Sequence, residues 1–167
     1  MKHIATAMGQ DVLISNRYLK QISLGLPSLV AVSDFQNNSL QKSTGKRANQ
    51  IIPWGMGSAE HENDTRDIDI LGVGSLIPLK AFDSFLRVIA EVVKSRPKLR
   101  VVLIGDGPDR RSLEKLANEL GIDRNVQFAG KKSREEVLAM MRKSKVLLHT
   151  STFESQGFVF NEAYACG

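Results

Sequence analysis

The residues of this chain able to do chemistry cluster where glycines interrupt apolar runs. Glu154 and Glu162 lie eight positions apart in Glu154-Ser155-Gln156-Gly157-Phe158-Val159-Phe160-Asn161-Glu162. On a single helix they would diverge, because eight steps of ~100° leave them about 80° out of register. They converge if Glu154 sits in a loop and Glu162 lies about a turn inside a helix opening near Gly157. Unpaired amides and the helix dipole at such an opening can hold a diphosphate. A carboxylate on each side can accept hydrogen bonds from hydroxyls. The arrangement would suit a sugar nucleotide, although two glutamates at this spacing also describe a plain solvated surface.

Other chemistries fail on their own requirements. The dinucleotide fingerprint needs three glycines, and Gly72-Val73-Gly74-Ser75-Leu76-Ile77 and Gly105-Asp106-Gly107-Pro108-Asp109-Arg110 put Ile and Arg at the third position. No P-loop pattern occurs. His3, His61 and His149 lack ligand spacing and the acids form no metal-binding pattern, so no metal is expected. The lone Cys166 cannot form an intrachain disulfide, which fits a reducing compartment.

Positioning those residues requires a regular scaffold. Ile68–Leu76 reads as a strand, and an amphipathic helix over about residues 80–95 turns Phe82, Phe85, Leu86, Ile89, Val92 and Val93 to one side. Val101-Val102-Leu103-Ile104 is a continuous apolar run of the kind a parallel sheet buries on both faces. A helix between Pro108 and Gly121, with Leu113, Leu116 and Leu120 inward, leads to a strand at Val126–Ala129. Ser133 and Glu136 form a capping box for a helix to about Arg142, and Lys145–His149 is a further strand. The alternation predicts an α/β fold with a doubly wound parallel sheet.

The chain divides before that pattern begins. Residues 57–66 are polar and acidic, the composition of a linker. Ahead of them, short strands at Leu29–Val32 and Asn49–Ile52 flank a polar helix from Ser33 to about Lys42. So small a set cannot bury a core alone, which makes residues 1–56 the tail of a preceding domain. The pattern also stops inside a helix at Gly167, so the sequence reads as a fragment cut at both ends.

In 167 residues there are 23 Lys/Arg and 18 Asp/Glu, an ordinary globular composition with a net charge of +5. Residues 1–50 carry six of the bases and two of the acids, scattered as on a solvated surface. No apolar run approaches the ~20 residues of a membrane span, and the first residues lack a secretory signal.

Three motifs in order give a resemblance over about residues 67–167. Gly74-x-Leu76-x-Pro78-x-Lys80, then Gly105-Asp106-Gly107-Pro108, then Glu154 through Glu162 to Ala163-x-Ala165-x-Gly167 resemble the retaining glycosyltransferases of family 4, whose GT-B architecture has two Rossmann-like domains. More weakly, Val32-Ser33, Ile52-Pro53-Trp54-Gly55 and Gly9-Gln10-Asp11 resemble the family's N-terminal acceptor domain. The resemblance implies an acceptor-domain tail at 1–56, the linker, and a truncated donor-binding domain at 67–167. It implies sugar transfer from a nucleoside-diphosphate sugar with retention and without metal or other cofactor. It gives Lys80 the donor diphosphate and Glu154 the transferred sugar's hydroxyls, and places Gly157 and Phe158 at backbone amides near them. Glu162 takes the ribose hydroxyls, while Gly74, Ser75, Gly105, Gly107 and Gly130 shape the crevice at the strand ends. A lysine in the first turn of a helix is electrostatically misplaced unless an anion visits it, which agrees with the role given to Lys80.

The resemblance further implies polysaccharide biosynthesis, a glycan or lipid-linked acceptor, no nucleic acid, and a cytoplasmic location with peripheral contact at the inner face of the membrane. A sheet cut short should expose a strand edge, which invites self-association. Two departures stand out: Ser75 occupies the place of a family arginine, and Met8 that of a histidine common in relatives. A non-catalytic doubly wound nucleotide-binding module and a sugar-nucleotide epimerase are the competing readings. Saturable donor binding argues against the first, and product analysis with and without acceptor separates the second.

Overall fold

The computed structural model describes residues 5–7, 29–53, 55, 65–154 and 157–167. Met8 to Asp11, Trp54 and most of the expected linker lie outside them. The chain forms two compact units, Met1–Gly57 with Glu154–Phe158, and Ser58–Phe153 with Val159–Gly167.

In the first unit β1 (Ala5–Ala7), β2 (Leu29–Ala31) and β3 (Gln50–Ile51) form a parallel sheet in that order. The strand β1 is an addition to the sequence reading, since Ala-Thr-Ala has neither length nor an apolar run to announce it. Helix α1 (Asp34–Thr44) begins where expected, with the Ser33 hydroxyl accepting from the Gln36 amide at 3.1 Å. Its buried face is mostly amide: Gln36, Asn37 and Leu40. Burying amides costs stability unless they find partners. The Val32 N–H donates to Gln36 Oε1 at 3.1 Å and the Ala48 N–H to Asn37 Oδ1 at 2.8 Å, so this polar helix is held by its flanking chain.

The second unit is the doubly wound α/β sheet that the alternating pattern predicts. Four parallel strands, β4 (Ile68–Val73), β5 (Val101–Ile104), β6 (Val126–Gly130) and β7 (Ser144–Leu147), lie in the order β6-β5-β4-β7. Helices α2 (Phe82–Ser95), α3 (Arg110–Glu119), α4 (Arg134–Arg142) and α5 (Phe158–Ala165) accompany them. Strand β5 shows why the sheet needs cover on both sides. Val101 and Leu103 join a core with Phe85, Leu86, Ile89 and Leu113, whereas Val102 and Ile104 join one with Leu71, Val137, Met141 and Cys166. Successive residues face opposite ways, so a run of four apolar residues serves two cores. The capping box of α4 forms as read, with Ser133 and Glu136 each satisfying the other's amide.

The boundaries shift at the ends of the strands. Regular β4 stops at Val73, three residues earlier than expected. Strand β7 runs one residue earlier at its start and leaves His149 beyond its end, ring against Phe160 with centroids 4.7 Å apart. Helix α2 starts at Phe82, not at residue 80. Pro78–Lys80 form a separate 3-10 turn, and Ala81 at φ 47° breaks the path into the helix.

At the opposite end of the sheet, Asp69 joins three strands. Its carboxylate accepts from the Lys145 ammonium on β7 at 2.7 Å and from the Arg100 N–H beside β5 at 2.9 Å. These bonds, led by Lys145, hold its pKa below the ordinary carboxylate value. A depressed folded pKa contributes stability above the unfolded pKa and loses it as pH falls through the folded value. Asp69→Asn should therefore flatten the fall in melting temperature between neutral pH and the acid limb below about pH 4. An acid limb of unchanged steepness would show that Asp69 contributes nothing to it.

Candidate functional site

The strand order sets where a ligand can enter. From β4 the chain builds outward through β5 to β6, then crosses back to place β7 on the other flank of β4. The loops leaving β4 and β7 thus diverge from adjacent strands, and in open α/β sheets ligands bind at this switch point, beyond the carboxyl ends of the strands. The first of these loops carries Gly74, Ser75 and Lys80. The second runs from Leu148 towards Glu154.

The two loops are tied together. The Thr150 hydroxyl donates to the Lys80 carbonyl at 3.0 Å, and the Thr152 N–H and hydroxyl both donate to the Leu79 carbonyl, at 3.0 and 3.2 Å. Three bonds from one loop satisfy consecutive carbonyls of the 3-10 turn, which fixes the backbone that presents the Lys80 side chain. The stem of that side chain lies over Gly74, whose added Cβ would meet Lys80 Cδ at 3.6 Å. Because Lys80 precedes α2 and closes a 3-10 turn, the expectation of a cation misplaced in the first turn of an α-helix is corrected.

The glycines form a crest of crossing backbone. The Gly105 N–H donates to the Gly130 carbonyl at 2.9 Å, and the Gly74 N–H to the Ile104 carbonyl at 3.0 Å. A Cβ on Gly105 would overlap the Gly74 carbonyl oxygen, and one on Gly107 would lie 2.8 Å from the Leu76 carbonyl carbon. Close approach of two loops is thus sufficient reason for both residues, whatever lies above them. Ser75 is exposed in the first loop.

Glu162 lies in the fifth position of α5, about a turn inside, as the spacing argument requires. Its side chain is only 12% exposed, and Arg134 Nε donates to its Oε1 at 2.9 Å. Arg134 opens α4, which leaves the carboxyl end of β6. Glu154, half-buried Phe158 and buried Gly157 at φ 64° belong with the first unit, and α5 begins immediately after that glycine. The second unit therefore brings Lys80 together with Gly74, and Gly105 together with Gly74 and Gly130, while it sets Glu162 against Arg134.

Three contributors escaped the sequence reading. Thr150 and Thr152 flank Ser151 directly after an apolar strand, a polar run that could have marked the loop as structured. Arg134 offered a weaker signal, a cation directly after an N-cap serine, where the helix dipole disfavours it. Cys166 is no candidate nucleophile, since burial pushes its thiol above the ordinary value. No group of three His, Cys, Asp or Glu side chains able to hold a metal occurs among the described residues.

Comparison with known families gives one match. Residues 58–167 match the family described as Glycosyl transferases group 1. The chain is 25% identical over 162 residues to the phosphatidylinositol N-acetylglucosaminyltransferase gpi3 subunit of Schizosaccharomyces pombe, covering 93% of the chain and 36% of that protein. It is 37% identical over 110 residues to the D-inositol 3-phosphate glycosyltransferase of Mycobacterium sp. (strain KMS), covering 62% of the chain and 24% of that protein. The chain thus spans about a quarter to a third of the length of these two relatives, at 24% and 36%. Among solved structures, TarM of S. aureus superposes with a TM-score of 0.76 at 17% identity, over 89% of this chain and 30% of that one. WaaG, a glycosyltransferase involved in lipopolysaccharide biosynthesis, gives 0.73 at 24% identity, over 86% and 43%. Both share the fold, a Rossmann-like sheet of the GT-B type. With a match that takes in all four strands of the second unit and the helices around them, the chain belongs to the group 1 glycosyl transferases.

Proposed function

We propose that the second unit binds the donor of a retaining, metal-independent glycosyltransferase, which moves a sugar from a nucleoside-diphosphate sugar to a glycan or lipid-linked acceptor. The observation that carries this reading is the junction at the switch point, where Thr150 and Thr152 lock the turn that presents Lys80. In this account the acceptor oxygen bonds to the anomeric carbon on the face from which the diphosphate oxygen departs, so configuration is retained, and the acceptor's proton passes to the departing diphosphate. Negative charge grows on the departing diphosphate, so a cation fixed beforehand stabilises the transition state more than the bound donor. Lys80 supplies it without a metal, and the amides near Gly157 and Phe158 add to it. Glu154 positions the transferred sugar and Glu162 accepts the ribose hydroxyls. The family relationship and the residue types support these roles.

The first unit forms part of the acceptor side in this account, and the complete activity belongs to a longer protein. No helix among the described residues is long and apolar enough to cross a membrane. A cytoplasmic enzyme reaching a lipid-linked acceptor by peripheral contact is the corresponding proposal. Strand β7 pairs on one side only among the described residues and leaves Val146 53% exposed, so the isolated chain should self-associate along that edge.

The reaction is tested by supplying the full-length protein with UDP-, GDP- and ADP-sugars and candidate acceptors, with and without chelator. A product of unchanged anomeric configuration, formed equally with chelator, is expected. An inverted product, or a rate abolished by chelator, would contradict the reading. Glu162→Ala should weaken binding of the free nucleoside diphosphate by about tenfold or more, the scale of losing hydrogen bonds to a charged group. Calorimetry showing equal affinity would remove Glu162 from the ribose.

A further inference from the structure

We propose that Arg134 is a positioning residue for ribose recognition, holding the Glu162 carboxylate so that its remaining lone pairs meet a vicinal diol. The inference rests on the assignment of Glu162 to the ribose and extends it to a residue 28 positions away. A glutamate has three rotatable side-chain bonds, and fixing them on binding costs affinity. Here one oxygen is anchored beforehand: Arg134 Nε donates to Oε1 at 2.9 Å, and among the described residues Oε2 accepts no protein hydrogen bond. An ionised carboxylate has about four acceptor positions, so one donor leaves the group able to receive two hydroxyls.

The asymmetry of the pair points the same way. Glu162 is 12% exposed and Arg134 58%, so the carboxylate is the more enclosed member of the pair and the arginine the more solvated one. Arg134 gains nothing from its own helix, because it occupies the first position of α4, where the dipole favours acids. Glu135 and Glu136 fill that role.

The test is the preference for ribose over deoxyribose in the full-length protein, measured with UDP, GDP and ADP, each beside its 2′-deoxy counterpart. For the nucleotide that binds best, the unaltered protein should prefer the ribo form by about tenfold. Glu162→Gln should reduce that preference to within about threefold, and Arg134→Ala should do the same. The double variant should add no further loss, the signature of coupled groups. Arg134→Lys, which keeps the charge but not the planar donor, should retain part of the preference. If Glu162→Gln loses the preference while Arg134→Ala keeps it, the inference fails and the ribose assignment stands. If Glu162→Gln keeps it, the ribose assignment fails and the inference with it. Melting temperatures of all variants separate folding from recognition, and a destabilised Arg134→Ala with full ribose preference would assign the ion pair to stability alone. Should Arg134→Ala not fold, Arg134→Gln takes its place.

Discussion

Replacing Lys80 by alanine in the full-length protein should lower kcat by about two to three orders of magnitude, the scale of removing one preorganised group that faces developing charge. The KM for the donor should change far less. The reason lies in where charge accumulates: the diphosphate is already anionic when bound, but it gains charge only as the bond to the sugar breaks. The structure gives Lys80 the fixed backbone this role needs, through the Thr150 and Thr152 bonds to consecutive carbonyls. Loosening that junction should reproduce part of the effect. A variant with unaltered kcat and a raised KM would assign Lys80 to ground-state binding instead.

The second large effect is structural. Gly105→Ala should destabilise the second unit by about 4 kcal/mol or more, because the new Cβ meets backbone rather than a side chain able to move. Gly105 has φ 143°, and its added Cβ would overlap the Gly74 carbonyl oxygen. Relief requires the loops after β4 and β5 to part, and those loops form the crest of the proposed donor site. Gly121→Ala provides the contrast. Gly121 has φ 69° with nothing within 4 Å of its added Cβ, so only the backbone penalty of about 1–2 kcal/mol applies. Thermal denaturation should show a several-fold larger shift for Gly105→Ala, and comparable shifts would contradict the steric account.

What the sequence disclosed and what it concealed follow from the range of the forces involved. Strand β5 was readable because four consecutive apolar residues can be satisfied only with cover on both faces. The capping box at Ser133 was readable because both partners lie within four positions. The break at Ala81 was not, since an alanine at positive φ carries no mark in the sequence and is held there by the Pro78–Lys80 turn. Its consequence was an error in placing Lys80 inside α2. The locking of that turn by Thr150 and Thr152 spans 70 or more positions, and the Arg134–Glu162 pair spans 28. Such contacts arise only when the order β6-β5-β4-β7 brings loops together. The spacing of Glu154 and Glu162 correctly separated a loop carboxylate from a helical one, yet Glu154 groups with the first unit.

The central claim is that the end of the sheet at β4 and β7 receives a nucleoside diphosphate through Lys80. Calorimetric titration of the full-length protein and its Lys80→Ala variant with UDP-, GDP- and ADP-sugars tests it most directly. The account predicts saturable binding of at least one donor at one site per chain, with an affinity that falls far less in the variant than its kcat does. Absence of saturable binding to all three, or a loss of affinity in the variant as large as its loss of kcat, would contradict it.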